Sequence, residues 1–60
     1  MTEEEFMKRL KEICGAEYHD AYLPDPDHPE QDISITLDGT FSLEQLEKVV
    51  SLGTAYGAVQ

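Results

Sequence analysis

The sequence predicts an α+β fold of order α-β-β-α, with two helices packed on one face of an antiparallel β-hairpin. Three observations carry that expectation. Ile33, Ile35 and Leu37 alternate with Ser34 and Thr36, the period of two that marks a half-buried strand. Ser42 followed by Gln45 fits a capping box, and Phe41 with Leu46 fits a hydrophobic staple, so a helix starts just after that strand. Thr2 with Glu5 forms a second capping box ahead of the stripe Phe6, Leu10, Ile13.

The first helix is expected over Glu3 to Cys14. Glu3, Glu4 and Glu5 favour the positive end of its dipole, Met7 and Cys14 flank the apolar stripe, and Gly15 suits a C-terminal stop. Glu4–Lys8 and Glu5–Arg9 have the spacing and order of weak helical ion pairs. Residues 16–23 read as a strand through Tyr18 and Tyr22, with a short helix as the competing assignment. If a strand, Tyr18, Asp20 and Tyr22 share one face and His19, Ala21 and Leu23 the other, and the pattern does not say which is buried. Pro24, Pro26 and Pro29 make 24–31 a loop. The second strand, Ile33 to Leu37, ends in the turn Asp38-Gly39. The second helix is expected from Leu43 to about Leu52, with Leu43, Leu46, Val49 and Val50 facing the core and Gly53 as a stop. The tail 54–60 is then either a frayed continuation or a segment that docks on a partner.

Sixty residues allow one domain, residues 1–60, with a small core. Cys14 is the only cysteine, so no intrachain disulfide forms and no zinc spacing exists. The N-terminus is acidic where a signal peptide is basic and then apolar, and no apolar run exceeds three residues. A cytoplasmic protein with no membrane contact is expected. A two-stranded sheet is a poor platform by itself, and its free edge invites a second copy, giving a four-stranded sheet in a homodimer.

No enzyme is expected. Cys14, His19 and Asp20 are a thiol, an imidazole and a carboxylate close in sequence, but Cys14 falls on the apolar edge of a helix, where cysteine behaves as a small hydrophobe. There is no phosphate-cradling glycine loop, no G-x-S-x-G and no H-E-x-x-H. No cofactor is expected. For a metal, the loop offers Asp25, Asp27, His28, Glu30 and Asp32, yet a calcium loop starting at Asp25 would place Pro29 and Glu30 where a ligand and a glycine belong. A loop-bound calcium ion is therefore the weakest reading.

Charge is the functional signal. Thirteen acidic residues face four basic ones, for a net charge of −9. Such a surface repels nucleic acid and anionic membrane and attracts basic proteins. Ten of the acidic residues fall between Lys11 and Lys48 with no lysine or arginine among them. Asp38 has a turn to make and Glu44 a helix start to favour. Glu17, Asp20, Asp25, Asp27, Glu30 and Asp32 have no evident cap to serve and no lysine to pair. In extended backbone, residues two apart lie about 6.6 Å from one another on one side, a spacing comparable to neighbouring phosphates.

On this acidic run, Glu12 to Glu47, and on its size, the chain resembles the small acidic inhibitors that phages and mobile elements deploy against host nucleases, including anti-CRISPR and anti-restriction proteins that act as DNA mimics. The resemblance implies competition, with carboxylates occupying the arginine- and lysine-lined groove of a nucleic-acid-binding partner. Members of that class also act by locking a subunit interface. The expected site is Asp25, Asp27, Glu30 and Asp32, flanked by Glu17 and Asp20, with Tyr18 or Tyr22 as an aromatic anchor. The alternative is a homo-oligomeric assembly module, held by the free strand edge and the tail Tyr56 to Val59, whose acidity serves solubility alone.

Overall fold

The structure, a computed structural model, describes residues 1–24 and 32–58. The chain runs α1 (Glu3–Cys14), β1 (Tyr18–Tyr22), β2 (Ser34–Asp38) and α2 (Leu43–Ala58). The strands pair antiparallel, with Tyr18 opposite Asp38, Asp20 opposite Thr36 and Tyr22 opposite Ser34. Both helices lie against one face of this hairpin, the expected α-β-β-α arrangement.

Caps set the helix starts. Thr2 Oγ1 accepts the N–H of Glu5 at 3.1 Å. At α2 the box closes in both directions: Ser42 Oγ accepts the Gln45 N–H at 3.1 Å, and Gln45 Oε1 accepts the Ser42 N–H at 2.8 Å. The Gln45 Nε2 then donates to the Ile13 carbonyl at 3.0 Å, tying the start of α2 to the last turn of α1. An amide accepts at one atom and donates at the other, which an ionised carboxylate cannot do, so glutamine rather than glutamate suits this position at neutral pH. Gly15 ends α1 at φ 65°, with its N–H donating to the Lys11 carbonyl at 2.8 Å. The expected pairs Glu4–Lys8 and Glu5–Arg9 are not closed. Among the described residues the one ion pair is Lys48–Glu44, at 3.5 Å. Exposed pairs of this kind contribute only a few tenths of a kcal/mol, too little to hold two long side chains in place.

The buried apolar side chains of the two helices are Phe6, Leu10 and Cys14 from α1 and Val49, Leu52 and Tyr56 from α2. The centre of the core is thus a seam between helices. The hairpin contributes Ala21, Leu23, Ile33, Ile35 and Leu37, which pack on that seam while staying half-buried. Phe6 and Tyr56 meet edge to face, with ring centres 5.3 Å apart.

Of the two readings of the tail the continuation holds as far as Ala58, and the expected core face of α2 is overturned. The helix does not stop at Gly53; it continues to Ala58. A glycine inside a helix costs about 1 kcal/mol, and burial of Leu52 and of Tyr56 one turn further on outweighs it. Tyr56 therefore belongs to the core and is not part of a docking tail; Val59 and Gln60 lie outside the described residues. The expected core face is also divided. Val49 is buried, but Leu43 is 80 % exposed, Val50 67 % and Leu46 38 %. The reason is placement: α2 packs against α1, and no Cα of α2 comes within 8 Å of a Cα of β2.

Candidate partner-binding face

Strand alternation gives the hairpin two unlike faces. His19 and Ala21 turn inward with Ile35 and Leu37, whereas Tyr18, Asp20 and Tyr22 turn outward with Ser34, Thr36 and Asp38. Sequence pattern leaves the facing of β1 open, and packing decides it. α1 lies on β1, and the small Ala21 packs against the buried core where a tyrosine would hold the helix off. The two tyrosines are left 57 % and 55 % exposed.

The outer face is a checkerboard of aromatic rings and acids. Tyr18 stands opposite Asp38, and Asp20 stands between the tyrosines, opposite Thr36. Asp20 and Asp38 are diagonal neighbours, a relation that places side chains about 7–8 Å apart. No lysine or arginine occurs in either strand; all four lie on the helices, against the other face of the hairpin. Asp32 is exposed just before β2.

Of the residues singled out by sequence, Tyr18, Asp20 and Tyr22 come together on this face. Asp25, Asp27 and Glu30 lie outside the described residues, as does His28. Glu17 has a local task after all: half-buried, it extends Oε2 across the hairpin end to accept the Thr40 N–H at 3.1 Å. Its carboxylate fills the space that a Cβ at position 39 would need, and Gly39 has φ 135°. Glycine at 39 thus serves both the backbone conformation and the close approach of Glu17. Asp20 likewise has a partner, since its Oδ1 accepts the Ala21 N–H at 2.8 Å while the side chain remains exposed. Asp38 belongs to the face but is absent from the expected site. The alternation of β2 was the available signal, because it sets Asp38 on the side of Ser34 and Thr36.

The arrangement is unsuited to nucleophilic catalysis. Cys14 is buried, and the loss of solvent pushes its thiol pKa up, disfavouring the thiolate. His19 points inward with Nδ1 2.9 Å from the Glu17 carbonyl, which can only accept, so Nδ1 carries the proton. Asp20 points to the opposite face, so the three groups do not converge. Among the described residues no group of three or more His, Cys, Asp or Glu side chains is placed to hold a metal ion, and no helix is long and apolar enough to cross a membrane. The loop proposed for calcium lies outside the described residues. Comparison of the chain with protein-family models, curated proteins and solved structures finds no match.

Proposed function

We propose that this chain is a non-catalytic, acidic interaction protein of the cytoplasm that blocks a basic, nucleic-acid-binding surface of a partner protein, in the manner of a DNA-mimic inhibitor. The observation that carries the reading is the outer hairpin face, where Asp20 and Asp38 stand with two exposed tyrosines and no cation in either strand, and Asp32 is exposed just before β2. Carboxylates in such a setting repel one another and favour a partner that brings arginine or lysine. Tyr18 and Tyr22 supply rigid, amphipathic contact area of the kind that anchors interfaces. In sequence the loop between the strands adds Asp25, Asp27 and Glu30 to the same charge.

The test is capture from a lysate of the source cells at low and high salt, with the wild-type chain and with Asp20→Asn/Asp32→Asn/Asp38→Asn. The expected partner binds nucleic acid, is retained at low salt, is released at high salt or by added duplex DNA, and is lost by the triple variant while its circular dichroism spectrum stays unchanged. Retention that ignores salt, or a captured partner that still binds DNA, refutes the proposal.

A further inference from the structure

A second surface is independent of the acidic face. On the inner side of the hairpin, Ile33, Ile35 and Leu37 form one wall of an open groove of about 660 Å³, and Leu46, Val50 and Gly53 form the other. Among the described residues no charged side chain lines it. It lies along the edge of β2 that, among the described residues, has no neighbouring strand. Leu43, the most exposed large apolar residue of α2, continues the helix wall toward its N-terminus.

The two edges of the hairpin differ. On β1 the Asp20 carboxylate takes up the Ala21 N–H, a charged cover of the kind that discourages further pairing. That bond also fixes the ladder: with the Ala21 amide directed away from β2, Ala21 and Ile35 are a non-hydrogen-bonded pair. Ile35, and Leu37 two residues on, then direct their backbone N–H and C=O groups to the open side of β2.

We propose that two copies of this chain pair β2 to β2, antiparallel about Thr36, to form a four-stranded sheet whose grooves close on each other. The segment Ser34-Ile35-Thr36-Leu37-Asp38 is nearly self-complementary in that register. Ile35 meets Leu37 of the second copy on the inner face, and their outward backbone groups supply the hydrogen-bonded pairs. Thr36 meets Thr36 on the outer face, and Asp38 meets the Ser34 hydroxyl. A register centred on Ile35 would instead set Asp38 against Asp32 of the other copy, two carboxylates face to face, which is destabilising. The two-fold axis brings α2 beside its copy through Leu43, Leu46 and Val50, so the apolar residues that the monomer leaves exposed become the interface. The near self-complementarity of this segment selects a copy over a foreign strand: in this register no acid stands directly opposite an acid, and no charged residue among those described lines the groove, which keeps the repulsion between two chains of −9 away from the contact.

Sedimentation equilibrium of the full chain tests this. The expected mass is twice 6.8 kDa, 13.6 kDa, and added salt shifts the equilibrium toward the dimer because it screens two chains of −9 each. Capture of a basic partner has the opposite salt dependence, so the two proposals fail separately. Val50→Glu, at an exposed position that leaves the monomer intact, weakens association about 100-fold or more by placing charge at the axis, with no change in circular dichroism. Tyr18→Ser, on the outer face, leaves the mass unchanged. In a mixed labelled and unlabelled sample, intermolecular cross-peaks join Thr36 to its copy and Ile35 to Leu37. A single 6.8 kDa species up to about 1 mM, a dimer indifferent to Val50→Glu, or intermolecular cross-peaks that omit the Ile35–Leu37 pair each overturn the proposal.

Discussion

The two helices use similar apolar residues to different ends. α1 sends Phe6, Leu10 and Cys14 into one stripe, all of it buried, with Met7 and Ile13 packed alongside. α2 carries two stripes on one cylinder. Val49, Leu52 and Tyr56 meet α1, while Leu43, Leu46 and Val50 turn aside and stay open to solvent. The difference teaches that amphipathicity counts apolar residues without saying how many neighbours they have. A helix that packs closely on one helix and only loosely on the hairpin fills one stripe, and the second stripe is material for an interface.

Loss of the buried stripe of α2 has the largest expected effect. Tyr56→Ala empties the space against Phe6, and truncation of a buried aromatic costs about 3–5 kcal/mol. A core this small supplies roughly the same amount in total. The variant is expected to be largely unfolded at 25 °C by circular dichroism, with no cooperative urea transition. A folded Tyr56→Ala would mean that the far half of α2 is dispensable and that the helix ends near Gly53 in practice.

That half of α2 is also where sequence reasoning fell short. The starts of both helices were legible because Thr2 and Ser42 act within three residues of themselves, and the end of α1 because Gly15 takes a positive φ. The pairing of the strands was legible from the alternation through Ile33, Ile35 and Leu37. The continuation of α2 through Gly53 was not, since its cause, Tyr56 on Phe6, joins residues fifty positions apart. Nor was the split of the α2 stripe: Leu46, Val49 and Val50 fall within one broad apolar sector, and only the position of α1 decides which side is covered. At the candidate site, acidity was legible but assignment was not. Glu17 looks free along the chain and is held by Thr40 across the hairpin; Asp38 looks like a turn residue and stands on the outer face beside Tyr18.

A smaller effect sharpens the covered side. Gln45→Glu keeps an acceptor for the Ser42 N–H but removes the donor to the Ile13 carbonyl, and it turns a carboxylate oxygen toward that carbonyl. The expected loss is about 1–2 kcal/mol at neutral pH, read from urea unfolding against wild type. Its pH dependence has a definite sign. A glutamate beside a carbonyl has its folded-state pKa raised, so the deficit relative to wild type shrinks as pH falls toward about 4.3 and the acid regains a proton to donate. A deficit that is constant with pH would show that the clasp to Ile13 contributes nothing and that α1 and α2 are joined by apolar packing alone.

The smallest effect belongs to the open stripe. Leu43→Ser, made in the Val50→Glu background so that the chain stays monomeric, is expected to change stability by no more than about 0.5 kcal/mol, because a side chain already 80 % exposed has little burial to lose. The matched change on the covered side, Val49→Ser in the same background, removes a buried side chain and leaves a hydroxyl in its place, for about 2–3 kcal/mol. The gap between the two measurements is the comparison expressed as one number. Were Leu43→Ser as costly as Val49→Ser, the outward stripe would already be covered within the monomer, and neither the groove nor the paired four-stranded sheet could be what the exposed residues are for.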